Sequence, residues 1–428
     1  MEDNKNVLYN NKDVKKNKAK AFFRNKIKTA LSPRFCMGSI ATALIVALAV
    51  GSVLLPDKKF SDKENRNLAQ RPAFSFTALK SGEYTSDMNT YIADQFPLRN
   101  MWIKLRARCE MTLGHYFING VYRGDDDFLF EDITVQDSKG LAGRLSALNN
   151  FAETVNTVPS YMMVVPTSAS VMSDCLPENT PIADQNAYLD YLYSGLSTKI
   201  HKIDVRETFK QKYSEGEQLY YRTDHHWTTD GAYEAFKYAS QASCVARALR
   251  YPIASQELGS DPSKAKFKEY PVTDKFSGTL ESKSGFNVKD DIINVFVPQD
   301  ESDVTYLVEN VSSSKKSASV FDPDKLETSD KYAVFFGGNY PLLHITTMAG
   351  TGKKLLVFKD SYANSFVPFL IPYYSEIFMV DPRYYTDDVY SLISENGIDQ
   401  ILFLYNANTF AEDSSIEDVL QAQETAAE

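Results

Sequence analysis

The rhythm of apolar and polar positions changes along this chain and marks out its parts. Phe35–Leu55 (FCMGSIATALIVALAVGSVLL) runs for 21 residues without a charge, matching the ~20 apolar residues that cross ~30 Å of hydrocarbon as a helix. Lys58–Pro72 is charged and lacks apolar periodicity, so it reads as a spacer. The stretch 84–114 has helical spacing with a break at Pro97, which predicts a helical arm. GVYRGDDDFLFE (120–131) reads as a short hairpin around an Asp-rich turn. Beyond it, strand-like and helix-like patterns alternate. SYMMVVPTS (160–168) and KYAVFFGG (331–338) read as buried strands and Ala187–Ile200 as a helix. Near the C-terminus come KLLVF (354–358), a helix from about Ser361, EIFMV (376–380), a helix over Asp387–Asn396, and DQILFLY (399–405). That β-α-β-α-β order implies a parallel sheet with right-handed crossovers and helices on both faces. Residues about 250–330, rich in Ser, Lys and Asp and with short alternating strands, read as an insertion, and the acidic stretch after Phe410 as a frayed tail.

Charge changes the picture at the N-terminus. Residues 1–34 hold ten Lys or Arg against three acids, so of the chain's 46 basic and 56 acidic residues the rest keeps 36 and 53, a net −17. An acidic body argues against nucleic-acid binding, which needs a basic surface. A basic flank before an uncharged span fits the positive-inside rule: tail in the cytoplasm, everything after Pro56 outside. The span exceeds the 7–15 residues usual for a signal-peptide core, which favours an uncleaved anchor. Of the four cysteines, Cys36 lies in the span. Cys109, Cys175 and Cys244 lack metal-ligand spacing, permit at most one disulfide and read as small buried residues.

Two segments carry chemistry. In LLVFKDSYANSFVPFL (355–370), Ser361 follows a buried strand and precedes a helix, the edge at which open α/β sheets bind ligands and where first-turn N–H groups are free for an oxyanion. On this segment alone, an N-cap role for Asp360 or Ser361 explains the pattern as well. In YYRTDHHWTTDGAYEAF (220–236), Asp224, His225, His226 and Trp227 are contiguous, before a helix capped by Thr228 or Thr229. An Asp two residues before a His can fold back onto Nδ1–H, fixing the tautomer and leaving Nε2 toward a nucleophile. A metal held by Asp224, His225 and His226 is the rival. Adjacent histidines on an extended strand point opposite ways, which disfavours it, and no cofactor is called for.

The runs TDHHWT, FKDS and FFGGNYP resemble those of the DHHW family, named for residues 224–227, and the chain is similar to the alginate O-acetyltransferase proteins of the cell envelope. The likeness extends through ENRNLAQRP (64–72), DQFPLRN (94–100), VVPTSASVM (164–172), DPRYY (381–385) and YNANTF (405–410). It implies an SGNH-hydrolase-like α/β fold: a three-layer αβα domain with a mainly parallel sheet, preceded by one transmembrane helix. The parts would be a cytoplasmic tail (1–34), an anchor (35–55), a spacer and arm (56–115), a catalytic domain (116–410) and an acidic tail (411–428). The resemblance implies Ser361 as nucleophile, His226 as base and Asp224 as its partner, with Gly338 and Asn339 completing an oxyanion hole. It also implies an acetyl donor supplied by a multipass membrane acyltransferase and a polysaccharide or wall-polymer acceptor. Lys359 replaces the usual Gly before Asp-Ser, and its bulk threatens to crowd Ser361. An esterase with the same triad and a non-catalytic polymer-binding scaffold are the alternatives.

Overall fold

A computed structural model describes residues 20, 32–61, 66–131, 138–241, 267–299, 304–349 and 352–421. Most of the basic tail, Cys244, the start of the insertion and the last residues of the acidic tail lie outside it. The chain divides into two compact units, one ending at Met101 and one running from Trp102 onward.

In the first unit, Pro33–Leu54 is a 22-residue helix with no buried residue, capped by the Ser32 hydroxyl accepting from Phe35 N–H. By length and composition it can cross a membrane. Helix Glu83–Asp94 ends before Pro97, as the pattern predicts. The ENRNLAQRP and DQFPLRN segments meet: Asp94 Oδ2 accepts from Ala69 N–H at 2.8 Å, and Gln95 Nε2 donates to Ala69 O at 3.0 Å.

The second unit is built on an eight-stranded sheet. Its strands are β1 (Ser160–Val165), β2 (Ile200–Lys202), β3 (Tyr306–Asn310), β4 (Lys315–Ser317), β5 (Leu342–Thr347), β6 (Lys354–Lys359), β7 (Glu376–Val380) and β8 (Gln400–Asn406). Their spatial order is β4-β3-β5-β7-β6-β8-β1-β2. The run β7-β6-β8-β1-β2 is parallel; β5, β3 and β4 extend it antiparallel.

Strand side chains alternate between two cores, as a period of two demands. Tyr161, Met163, Val165, Val357 and Leu404 enter one core, with Phe236 and Ala239 of helix Thr229–Gln241. Met162, Val164, Phe358 and Phe403 enter the other, with Leu148 and Phe151 of helix Ser138–Thr154 and Leu189 of helix Gln185–Gly195. The layers are therefore helix, sheet, helix. Phe151 packs edge-on against Phe358 and Phe403, and full burial of such a ring contributes about 1.5–3 kcal/mol.

KYAVFFGG is no strand: Lys331–Val334 is a 3₁₀ turn, and Phe336, Gly337 and Gly338 have φ of 61°, 79° and 129°. Its apolar residues are buried in a loop, where burial has no period to betray the backbone. The helix expected from Ser361 is only Ala363–Phe366 followed by 3₁₀ turns to Tyr373. Pro368 and Pro372 withhold the N–H groups a longer helix needs. The short strands expected in the insertion are present: it supplies β3 and β4 to the main sheet and a separate pair, Phe267–Phe276 with Asp291–Pro298. The acidic tail forms helix Ser415–Gln421, which buries Ile416, Val419 and Leu420. Cys109 is exposed and Cys175 half-buried rather than both lying in the core.

Candidate active site

The Ser361 turn is tied down by Asp360. Its Oδ1 accepts from Tyr362 N–H at 2.9 Å, and its Oδ2 accepts from Asn406 N–H at the end of β8 at 2.8 Å. The helix that follows, Ala363–Phe366, starts after Tyr362 with no side-chain cap, so neither Asp360 nor Ser361 caps it and Asp360 instead braces the turn. Through residues 355–371 every position is buried except Ser361, which is half-buried. Tyr332 OH donates to Ser361 O at 3.1 Å. Among the described residues, the Ser361 N–H has no hydrogen-bond partner, whereas that of Tyr362 is taken by Asp360.

The histidine loop is a tight turn closed by the Tyr220–Trp227 bridge and by Tyr221 N–H donating to His226 O. Thr228 caps the following helix, its hydroxyl accepting from Gly231 N–H at 3.0 Å. Trp227 is fully buried and its Nε1–H donates to Tyr362 O at 3.0 Å. Tyr362 OH donates back to His225 O. Two hydrogen bonds therefore lock this loop to the serine turn, 135 residues away in sequence.

Within this frame His226 Nδ1 lies 2.6 Å from Asp224 Oδ1, and His226 Nε2 lies 2.7 Å from Ser361 Oγ. Asp224 Oδ1 also accepts from His226 N–H at 3.0 Å, and Oδ2 accepts from the Thr279 N–H and hydroxyl at 2.8 and 2.9 Å. The Thr279 contact depends on Gly278, where any Cβ would lie 2.3 Å from Asp224 Cβ. Tyr332 stacks on the His226 ring, centroids 3.8 Å apart.

Electrostatics matches this geometry. Burial opposes charge on Asp224, but His225, His226 and the Thr279 N–H outweigh it and hold the carboxyl well below its usual range. His226 is pushed down to about 4, by burial first and then by His225, against the pull of Asp224. At neutral pH the pair is a carboxylate and a neutral imidazole whose Nε2 can take the Ser361 proton.

Of the expected oxyanion pair, Gly338 turns its N–H back to Phe335 O at 3.4 Å. Asn339 accepts at Oδ1 from Lys359 Nζ at 2.8 Å and from Asn364 Nδ2 at 3.1 Å. Lys359 is buried in that network rather than set against Ser361. Adjacent His225 and His226 do not point opposite ways as expected of an extended strand: the two imidazoles lie side by side with centroids 4.0 Å apart, and donor atoms of Asp224, His225 and His226 lie within 4.8 Å of one another. These donors are nonetheless engaged: Asp224 with His226, His226 with Ser361, and His225 Nδ1 with Thr279 Oγ1 at 2.9 Å. Thr279, Gly278, Tyr332 and Tyr362 carry no local sequence signal, since each acts by arriving from a distant segment.

Residues 121–328 match the family model described as the SGNH hydrolase-like domain of acetyltransferase AlgX, a range that holds Asp224 and His226 and stops before Ser361. A structure of a DHHW family protein from Eubacterium siraeum superposes with a TM-score of 0.57 at 26% identity, covering 72% of this chain and 96% of that one. The chain is similar to the DHHW family and has the SGNH-hydrolase-like fold. Bacillus cereus PatB1, solved with a sulfonyl adduct, superposes on this DHHW-like chain with a TM-score of 0.56 at 23% identity, covering 69% and 97%. In sequence the DHHW-like chain is 26% identical over 164 residues to a probable alginate O-acetylase AlgJ of Pseudomonas fluorescens, 37% of this chain and 42% of that protein. It is 23% identical over 209 residues to the AlgJ of Pseudomonas putida, 47% and 51%. The chain spans about half the length of these curated relatives.

Proposed function

We propose that this protein is a membrane-anchored O-acetyltransferase that modifies an exported polysaccharide or wall polymer through an acetyl-serine intermediate. The observation that carries the reading is the continuous relay Asp224–His226–Ser361, with hydrogen bonds of 2.6 and 2.7 Å. The likeness to alginate O-acetylases supports acetyl transfer and a polysaccharide acceptor.

Ser361 Oγ attacks the donor's acetyl carbonyl as its proton passes to His226 Nε2. The Ser361 N–H and the Asn339 amide stabilise the oxyanion. Collapse expels the donor's leaving group with the proton from His226, leaving acetyl-Ser361. A sugar hydroxyl then gives its proton to His226 and attacks the ester, and collapse returns the proton to Ser361 Oγ. The donor is a multipass membrane acyltransferase that brings acetyl groups across the membrane.

The test supplies an activated acetyl ester and oligosaccharide acceptors to the purified protein and follows both products by mass spectrometry. Acetylated sugar supports the transferase, free acetate alone the esterase, and neither product the scaffold. Because the base works only when neutral, kcat/KM should stay flat from neutral pH to about 5 and fall tenfold per unit below about 4. A fall centred on the ordinary imidazole value near 6.5 would mean that His226 is not the buried base described here.

Anchoring is read from the charge step and the Pro33–Leu54 helix. Protease added to intact cells should degrade the residues after Pro56 and spare a small cytoplasmic fragment. Protection of the body until the membrane is opened would reverse the assigned topology.

A further inference from the structure

Lys359 ends β6, two residues before the nucleophile, and its side chain is wholly buried. Burying an ammonium is costly unless each proton is satisfied. Its three acceptors are Asn339 Oδ1 at 2.8 Å, Asn364 Oδ1 at 3.0 Å and Asp381 Oδ2 at 3.4 Å. Asp381 does not by itself account for the lysine, since Arg383 already binds both its oxygens, Nε to Oδ1 at 2.8 Å and Nη2 to Oδ2 at 2.7 Å. Two cations therefore share one buried carboxylate. For stability alone an apolar residue would commonly serve as well.

What the lysine decides is the orientation of an amide. An ammonium only donates, so the atoms facing it must be oxygens. Asn339 Oδ1 accepts a second hydrogen bond from Asn364 Nδ2 at 3.1 Å. Rotating the Asn339 amide by half a turn would set its NH₂ against two donors at once. Its Nδ2, by contrast, has no hydrogen-bond partner among the described residues. The loop carrying it runs through the positive-φ residues Phe336, Gly337 and Gly338, which bring Asn339 back against Asn364, three residues beyond Ser361.

We propose that Lys359 is a positioning residue that locks the Asn339 side chain with its NH₂ turned to the oxyanion of the acetyl adduct. This rests on the acyl-transfer reading above. It explains why a long cation occupies the position before Asp360–Ser361: the lysine acts beneath the site through Asn339.

The test is a double-mutant cycle on the full-length protein with an acetyl ester donor. Lys359→Met should lower kcat about 10²-fold, the scale of losing one oxyanion donor, with KM changed less than twofold. Asn339→Ala should lose a similar amount, and the double variant should be no slower than Asn339→Ala alone. Wild-type kcat in Lys359→Met, or losses that multiply in the double variant, would overturn the proposal. If Lys359→Met does not fold, Lys359→Arg keeps a cation for Asp381 but replaces a point donor with a planar fork; it should lose kcat at unchanged KM, and full turnover would be equally decisive against the idea. Wild type and Ser361→Ala run alongside. An inactive wild type sinks the acyl-transfer reading and this proposal with it, whereas an active wild type with an unimpaired lysine variant sinks this proposal alone.

Discussion

Ser361→Ala is expected to abolish acyl transfer, lowering kcat by up to ~10⁶, the scale at which loss of a triad nucleophile leaves only binding and oxyanion stabilisation. The variant should stay folded. Ser361 Oγ bonds to His226, while the turn itself is held by Asp360, by Tyr332 OH on Ser361 O and by Asn364 N–H on the same carbonyl. Losing one such hydrogen bond costs about 0.5–1.5 kcal/mol. A serine-directed phosphonate should modify the wild-type peptide containing Lys359–Ser361 and leave the variant unmodified. Ser365→Ala is the control: its hydroxyl bonds to Tyr332 OH and Tyr362 O, and labelling at Ser361 should persist. Full activity in Ser361→Ala, or a label on another residue, would end the triad assignment. A folded wild type that neither labels nor turns over any ester would put the scaffold reading in its place.

The second large effect belongs to the Asp224–His226 pair. His226→Ala removes the base and should abolish transfer. Asp224→Asn should cost about 10⁴ in kcat, as the corresponding change does in serine proteases. The reason is specific to this site. Both Asp224 oxygens accept, one from His226 and one from Thr279, four hydrogen bonds in all. An amide has one acceptor oxygen, so its NH₂ must face either the Thr279 N–H or the imidazole, and the latter selects the wrong tautomer. His225→Ala should keep much of the activity, because its ring bonds to Thr279 rather than to Ser361. Equal losses from His225→Ala and His226→Ala, with activity restored by added Zn²⁺, would instead establish a metal centre.

Four of the five strands of the parallel run are legible because their signals are local; the three-residue β2, Ile200–Lys202, is not, and the helical pattern expected to run to Ile200 stops at Gly195. SYMMVV, KLLVF, EIFMV and QILFLY are continuous apolar runs of strand length, as expected where both faces of a sheet are covered. The break at Pro97 and the cap at Thr228 were legible for the same reason: each is decided within a few residues. KYAVFFGG failed because burial alone cannot tell a core loop from a core strand. The insertion's short strands are legible but their place is not, because β3 joins the sheet only by pairing with β5, and β4 only by pairing with β3.

Local pattern suffices for the apolar span, the period of the sheet, and the residue types from which a Ser–His–Asp relay can be assembled. Spacing within TDHHWT sufficed to let Asp224 reach His226, since a two-residue loop is closed by local backbone geometry. Bringing His226 to Ser361 was beyond it. That 2.7 Å contact joins segments 135 residues apart and needs Trp227 and Tyr362 to cross-link them. Tertiary structure alone also decided that Gly278 and Thr279 cradle Asp224, that Tyr332 covers the imidazole, and that Lys359 turns toward Asn339 instead of crowding the nucleophile. The physical reason is common to all of them. Hydrogen bonds and burial set the state of these groups, and the partners that supply both come from parts of the chain that no local pattern connects.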